Sequence, residues 1–161
     1  MKKILYFLFF CVSFVVNAQK QLPNISLKTQ ENKTINVGKD FAEENKIYVF
    51  SFWATWCAPC INELEAINEL YEEWQKEINV EVIAVSIDDA RTVKRVKPLL
   101  NGKNWPYTVL LDTNQDLKRA LSIVNVPYTI VVKNKKIVYI QNGYTQGEEK
   151  ELFEKLVKLS K

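Results

Sequence analysis

The chain has 161 residues, 47% hydrophobic and 25% charged, with only 4 Gly and 5 Pro; this fits one globular domain and excludes disordered or fibrous chains. Basic residues number 22 against 19 acidic ones, which is no electrostatic footprint for nucleic acid. Histidine is absent, so a Ser-His-Asp triad, a histidine metal site and a histidine pH switch are all excluded.

The first segment, 1–18, reads as an export signal. Lys2 and Lys3 precede an apolar run over 4–16, and Val16-Asn17-Ala18 suits signal peptidase. The run has 13 residues. As a helix it would be about 20 Å long, short for a hydrocarbon core of roughly 30 Å. Cleavage after Ala18 is expected, leaving one domain over 19–161; the alternative is an uncleaved membrane tether. Cys11 lies within the run and is lost on cleavage, since Leu8-Phe9-Phe10 before it is too bulky for a lipoprotein signal. The mature protein is then periplasmic or otherwise exported, where disulfides form.

Strand and helix patterns follow in turn. A short hairpin is predicted over 25–28 and 34–37. IYVFSFW (47–53) and VEVIAVSI (80–87) read as buried strands, and 61–78 between them as a helix. A helix over 90–100, a strand over 107–111 and a short helix or turn over 114–122 come next. Strands at 128–132 and 136–141 form a second hairpin. An amphipathic helix over 148–159 places Leu152, Phe153, Leu156 and Leu159 on one face. The fold class is α/β with a mixed central sheet flanked by helices.

The chemistry sits at Trp56-Cys57-Ala58-Pro59-Cys60. A Cys-x-x-Cys pair that follows a buried strand and opens a helix reads as a redox pair. Unpaired N–H groups and the positive end of the helix dipole stabilise a thiolate on Cys57. That thiolate is what attacks a disulfide sulfur. Cys60 lies within one turn of it, and Pro59 is tolerated because the first turn does not need its N–H. Zinc fits poorly, because four ligands are required and the mature chain has two cysteines and no histidine. A purely structural disulfide here would close a tiny loop and remove little chain entropy.

Glu63 stands three residues after Cys60. At about 100° per residue, Ile61, Leu64, Ile67, Leu70, Tyr71, Trp74 and Ile78 form an apolar stripe. Glu65, Glu69, Glu72, Glu73 and Glu77 fall outside it; Glu63 falls inside, on the side of Leu70 and Trp74. A carboxyl beside apolar groups has a raised pKa and can hold or accept a proton near neutrality. That suits a proton store for Cys60. The alternative is a solvated first-turn Glu stabilised by the helix dipole.

Phe52-Trp53-Ala54-Thr55-Trp56-Cys57-Ala58-Pro59-Cys60 resembles the active site of the thioredoxin superfamily. Within it the chain is similar to the exported TlpA/ResA-like thiol–disulfide oxidoreductases, from about residue 22 to the C-terminus. The resemblance implies a thioredoxin-like fold with an N-terminal hairpin and an inserted α-β segment near 88–112. It implies catalytic Cys57, Cys60 and Glu63. Thioredoxin itself has an acid on the strand before the motif, where this chain has Ser51. The resemblance further implies a cis Val126–Pro127 bond facing the cysteines, and a client groove lined by Trp56, Ala58, Pro59, Val126 and Pro127. Trp53 is either core packing or a client contact.

No cofactor or metal is expected. The implied partners are a client protein with a disulfide or cysteine pair, such as an apocytochrome c, and a membrane thiol donor; a monomer is expected. No histidine or cation lies between the cysteines, so thiolate stabilisation is weaker than in strongly oxidising relatives, which favours a reductase. The alternatives are a peroxiredoxin-like thiol peroxidase, which needs Thr and Arg beside its cysteine, and a non-catalytic adaptor that uses the groove only to bind.

Overall fold

The structure is a computed structural model describing residues 20–161; the expected export segment lies outside the described residues. Chain entry is tied down at once: Gln21 bridges to Lys136, and Ile137 N–H donates to Lys20 O at 2.9 Å. β1 (Ser26–Thr29) and β2 (Thr34–Asn36) form the expected hairpin. One helical turn, α1 (Val37–Asp40), leads to β3 (Ile47–Trp53), all seven residues of which are buried.

α2 (Ala58–Glu77) begins three residues earlier than the sequence pattern predicts. The apolar stripe could not reveal that turn, because Ala58 and Pro59 are exposed helix-starting residues. The buried face of α2 is Cys60, Glu63, Leu64, Ile67, Tyr71 and Trp74. Ile61 and Leu70, expected inside the stripe, lie at its margins. Glu63 is therefore nearer the centre of the buried face than the sequence pattern placed it.

β4 (Val80–Ser86) returns parallel to β3, completing a β-α-β unit. The helix expected over 90–100 is shorter: a 3-10 turn Val93–Arg95 leads into α3 (Val96–Asn101). Asp89 accounts for the delay. Its side chain accepts from Arg91 N–H and its carbonyl accepts from Thr92 and Val93 N–H, so a turn forms first. Pro98 then falls in the first turn of α3, where its missing N–H costs nothing.

β5 (Thr108–Leu111) pairs parallel with β4 and antiparallel with β1, so the inserted segment joins the hairpin to the central sheet. After α4 (Asp116–Ala120), β6 (Tyr128–Lys133) and β7 (Lys136–Asn142) form an antiparallel hairpin. Its two-residue turn, Asn134-Lys135, has positive φ at both positions, as such turns require. α5 (Glu148–Ser160) closes the chain. Strand order is β2-β1-β5-β4-β3-β6-β7, a mixed sheet. α5 packs beside α2, with Phe153 stacked on Trp74 at 5.4 Å between ring centroids.

β3 runs between β4 and β6, so its C-terminal end lies at the centre of the sheet edge. The register pairs Phe52 with Tyr128. The chain entering β6 through Val126-Pro127 is thereby placed at the same end as the chain leaving β3 toward Cys57.

Candidate active site

Cys57 is the N-cap of α2. Its carbonyl accepts from Ile61 N–H at 3.2 Å, and its own N–H donates to Ala54 O at 3.0 Å. No acidic residue lies in the first turn of the helix to oppose a thiolate there. Cys57 and Cys60 form a disulfide, with their Cα atoms 5.3 Å apart. Cys57 is 5% exposed and Cys60 is fully buried. Of the two cysteines, only Cys57 keeps any exposure to solvent.

Glu63 is 1% exposed, and both carboxyl oxygens are occupied. Ser51 Oγ donates to Oε2 at 2.9 Å, and Thr129 Oγ1 donates to Oε1 at 2.9 Å. Ser51 and Thr129 are direct cross-strand partners on β3 and β6. A helix carboxyl is thus inserted between two strand hydroxyls. Burial disfavours the charged form and raises the Glu63 pKa from 4.5 to about 7, against the lowering effect of the two hydroxyls. The solvated first-turn Glu is ruled out by this burial. Ser51, the position where thioredoxin carries its strand acid, here touches an acid supplied by the helix.

Asp88, just beyond β4, holds the segment before the cysteines. It is buried, and its carboxylate accepts from Thr55 N–H at 2.8 Å, Thr55 Oγ1 at 2.7 Å and Ser86 Oγ at 2.9 Å. This pins the Ala54-Thr55-Trp56 turn to the neighbouring strand. Neither Asp88 nor Thr129 is singled out by the sequence. The signal that could have found Thr129 is a polar residue on an otherwise apolar buried strand; an isolated Asp in a loop gives none.

The Val126–Pro127 bond is cis. Pro127 is buried, Val126 is partly buried, and Pro127 O accepts from Gly143 N–H at 2.9 Å. On the outer surface Trp56 is 59% exposed and Val124 is 78% exposed, while Ala58 and Pro59 are also open. Trp53 is fully buried and packs edge-on against Trp105 at 5.4 Å, so the core-packing alternative holds for it. The site residues expected from sequence all belong to α2, the turn before it and the Val126-Pro127 segment that leads into β6.

The sequence model described as the AhpC/TSA family matches residues 18–140. The thiol-disulfide oxidoreductase ResA of Bacillus thuringiensis subsp. konkukian is 30% identical over 139 residues, spanning 86% of this chain and 77% of the relative. A thioredoxin-like protein from Porphyromonas gingivalis superposes with a TM-score of 0.76 at 46% identity, covering 89% of this chain and 94% of that one. StoA from Bacillus subtilis, at 20% identity, shares the fold with a TM-score of 0.65 over 82% of this chain and 98% of its own. With a reactive pair at a helix mouth, a thioredoxin-like sheet behind it and these relatives, the chain belongs to the AhpC/TSA family as a ResA-like thiol–disulfide oxidoreductase built on Cys57 and Cys60.

Proposed function

We propose that this enzyme is exported, with residues 1–18 as its signal, and works as a monomer that reduces disulfides of client proteins. The observation that carries the reading is the pairing of a scarcely exposed Cys57 at the mouth of α2 with a sealed Cys60 and a buried Glu63 three residues on. Cys57 thiolate attacks one sulfur of a client disulfide, whose other sulfur leaves as a thiolate. Cys60 gives its proton to Glu63 and attacks Cys57 Sγ. The Cys57–Cys60 disulfide forms, and the first client sulfur leaves and takes up a proton. Two electrons pass to the client, and a membrane thiol donor then restores the reduced pair.

Trp56, Ala58, Pro59, Val126 and Pro127 line the client groove in this reading, and exposed Trp56 supplies an aromatic contact. Ala58-Pro59 between the cysteines adds no cation, which supports a reducing poise. The client class is a protein with a cysteine pair to be kept reduced, apocytochrome c awaiting haem included. The thiol peroxidase is the weaker reading: the Thr55 hydroxyl is committed to Asp88 rather than turned to Cys57.

A Cys60→Ser variant tests this, because it cannot resolve the intermediate. Expressed with its own N-terminus, it should accumulate in the exported fraction as mixed disulfides with client proteins, and Cys57→Ser should form none. A measured potential nearer that of strong oxidants, about −120 mV, than that of thioredoxin, about −270 mV, overturns the reducing direction.

A further inference from the structure

The mechanism above uses Glu63 but not the two groups that hold it. We propose that Ser51 and Thr129 form a hydroxyl clamp that positions the Glu63 carboxyl toward proton exchange with Cys60 and sets the pH at which it ionises; this rests on the proposed role of Glu63.

The geometry is specific. Each hydroxyl takes one carboxyl oxygen, both at 2.9 Å. The two donors face each other across the β3–β6 ladder, so their spacing is set by strand register rather than by side-chain chance. Both are buried, and Ser51 is the one non-aromatic polar residue in the seven-residue strand β3. Buried polar groups persist where they are paired. Here the Ser51 and Thr129 hydroxyls pair with one carboxyl.

Hydroxyl donors favour the anion, whereas burial favours the neutral acid. A protonated Glu63 carries its own O–H, so one of the two donors must then turn and accept instead. The clamp therefore lowers the affinity of Glu63 for its proton below what burial alone would set. It also fixes the carboxyl on the Cys60 side of α2, since Cys60 and Glu63 are one turn apart on the buried face.

The other titratable groups acting on Glu63 are Glu148 of α5, which opposes its ionisation, Tyr144 before α5 and Tyr107 before β5. Both tyrosine pKa values are raised, chiefly by burial. They stay neutral through the working range. Glu148 Oε2 already accepts from Thr145 N–H at 2.7 Å and from Gln141 Nε2 at 3.3 Å.

The test follows the Glu63 carboxyl by carbon-13 NMR in the reduced full domain, together with the pH profile of disulfide reduction. Ser51→Ala and Thr129→Val should each move the Glu63 midpoint up by about one pH unit. The acid limb of the rate profile should move with it. Ser51→Thr and Thr129→Ser keep a hydroxyl and should restore both. An unmoved midpoint in the hydroxyl-free variants overturns the clamp. So does a midpoint that moves while the rate profile stays put, or a shift as large in the hydroxyl-retaining variants. Failure of the underlying reading looks different: Glu63→Gln would then leave the thiol titrations and the rate profile unchanged while the clamp variants still moved the carboxyl midpoint.

Discussion

Asp88 takes both the backbone N–H and the hydroxyl of Thr55, at 2.8 and 2.7 Å, from a position thirty-three residues further along the chain. The turn that presents Cys57 is thus fastened to the end of β4 and does not depend on local chain preference alone. Ser86 Oγ supplies the third donor to the same carboxylate.

Replacing Asp88 by Ala leaves three donors without their acceptor, the buried Ser86 hydroxyl and the part-buried N–H and hydroxyl of Thr55. The expected loss of stability is about 2–4 kcal/mol, since hydrogen bonds to a charged group are worth about 1.5–3 kcal/mol each and are not additive. Urea unfolding checks the magnitude. Amide exchange at Thr55 should quicken by more than the global loss accounts for; uniform quickening along the chain would show that the turn is held by something else.

Glu63 makes stability depend on pH. An unfolded glutamate loses its proton near 4.5, whereas the folded one holds it to about 7. Between those values the native state binds more protons than the unfolded chain, so stability falls as pH rises across the window. The full decline is about 3 kcal/mol. Glu63→Gln removes this dependence and should be more stable than the wild type above pH 7, with little difference near pH 4.5. Parallel unfolding profiles at pH 5 and pH 8 would refute it.

Trp56 is the exposed aromatic beside the reactive cysteine. Trp56→Ala should leave thermal stability within about 0.5 kcal/mol, as for most surface changes. It should slow reduction of a protein client several-fold and leave reaction of the pair with dithiothreitol unchanged. Equal slowing with both partners would place its effect on the sulfurs and not on client contact.

Trp74 ties α2 to α5 through its stack on Phe153. Trp74→Ala should cost about 3–5 kcal/mol as a large core truncation. The loss should appear in denaturant unfolding of the oxidised protein, with the Cys57–Cys60 potential little altered in the folded fraction.

The motif, the buried strand before it and the alternation of strand and helix were legible because each is a local pattern. Apolar periodicity marks which face of α2 is covered, and that was enough to pick Glu63 out of a helix rich in glutamates. Periodicity says nothing of what an inward carboxyl meets. Ser51 looked like the absence of an acid; in the folded protein it grips one. Helix starts were blurred for a related reason: α2 begins with exposed residues that carry no stripe, and α3 waits on a turn that Asp89 imposes.

By itself the sequence determined that two cysteines stand at a helix mouth and that one glutamate below them faces inward, because spacing along a helix follows from covalent geometry. Tertiary structure alone decided the company that glutamate keeps. Thr129 reaches it from sixty-six residues away because β6 lies beside β3 in one particular register. Asp88 reaches Thr55 because β4 returns on the other side. Strand order brings those residues together, and strand order is a property of the whole packed chain.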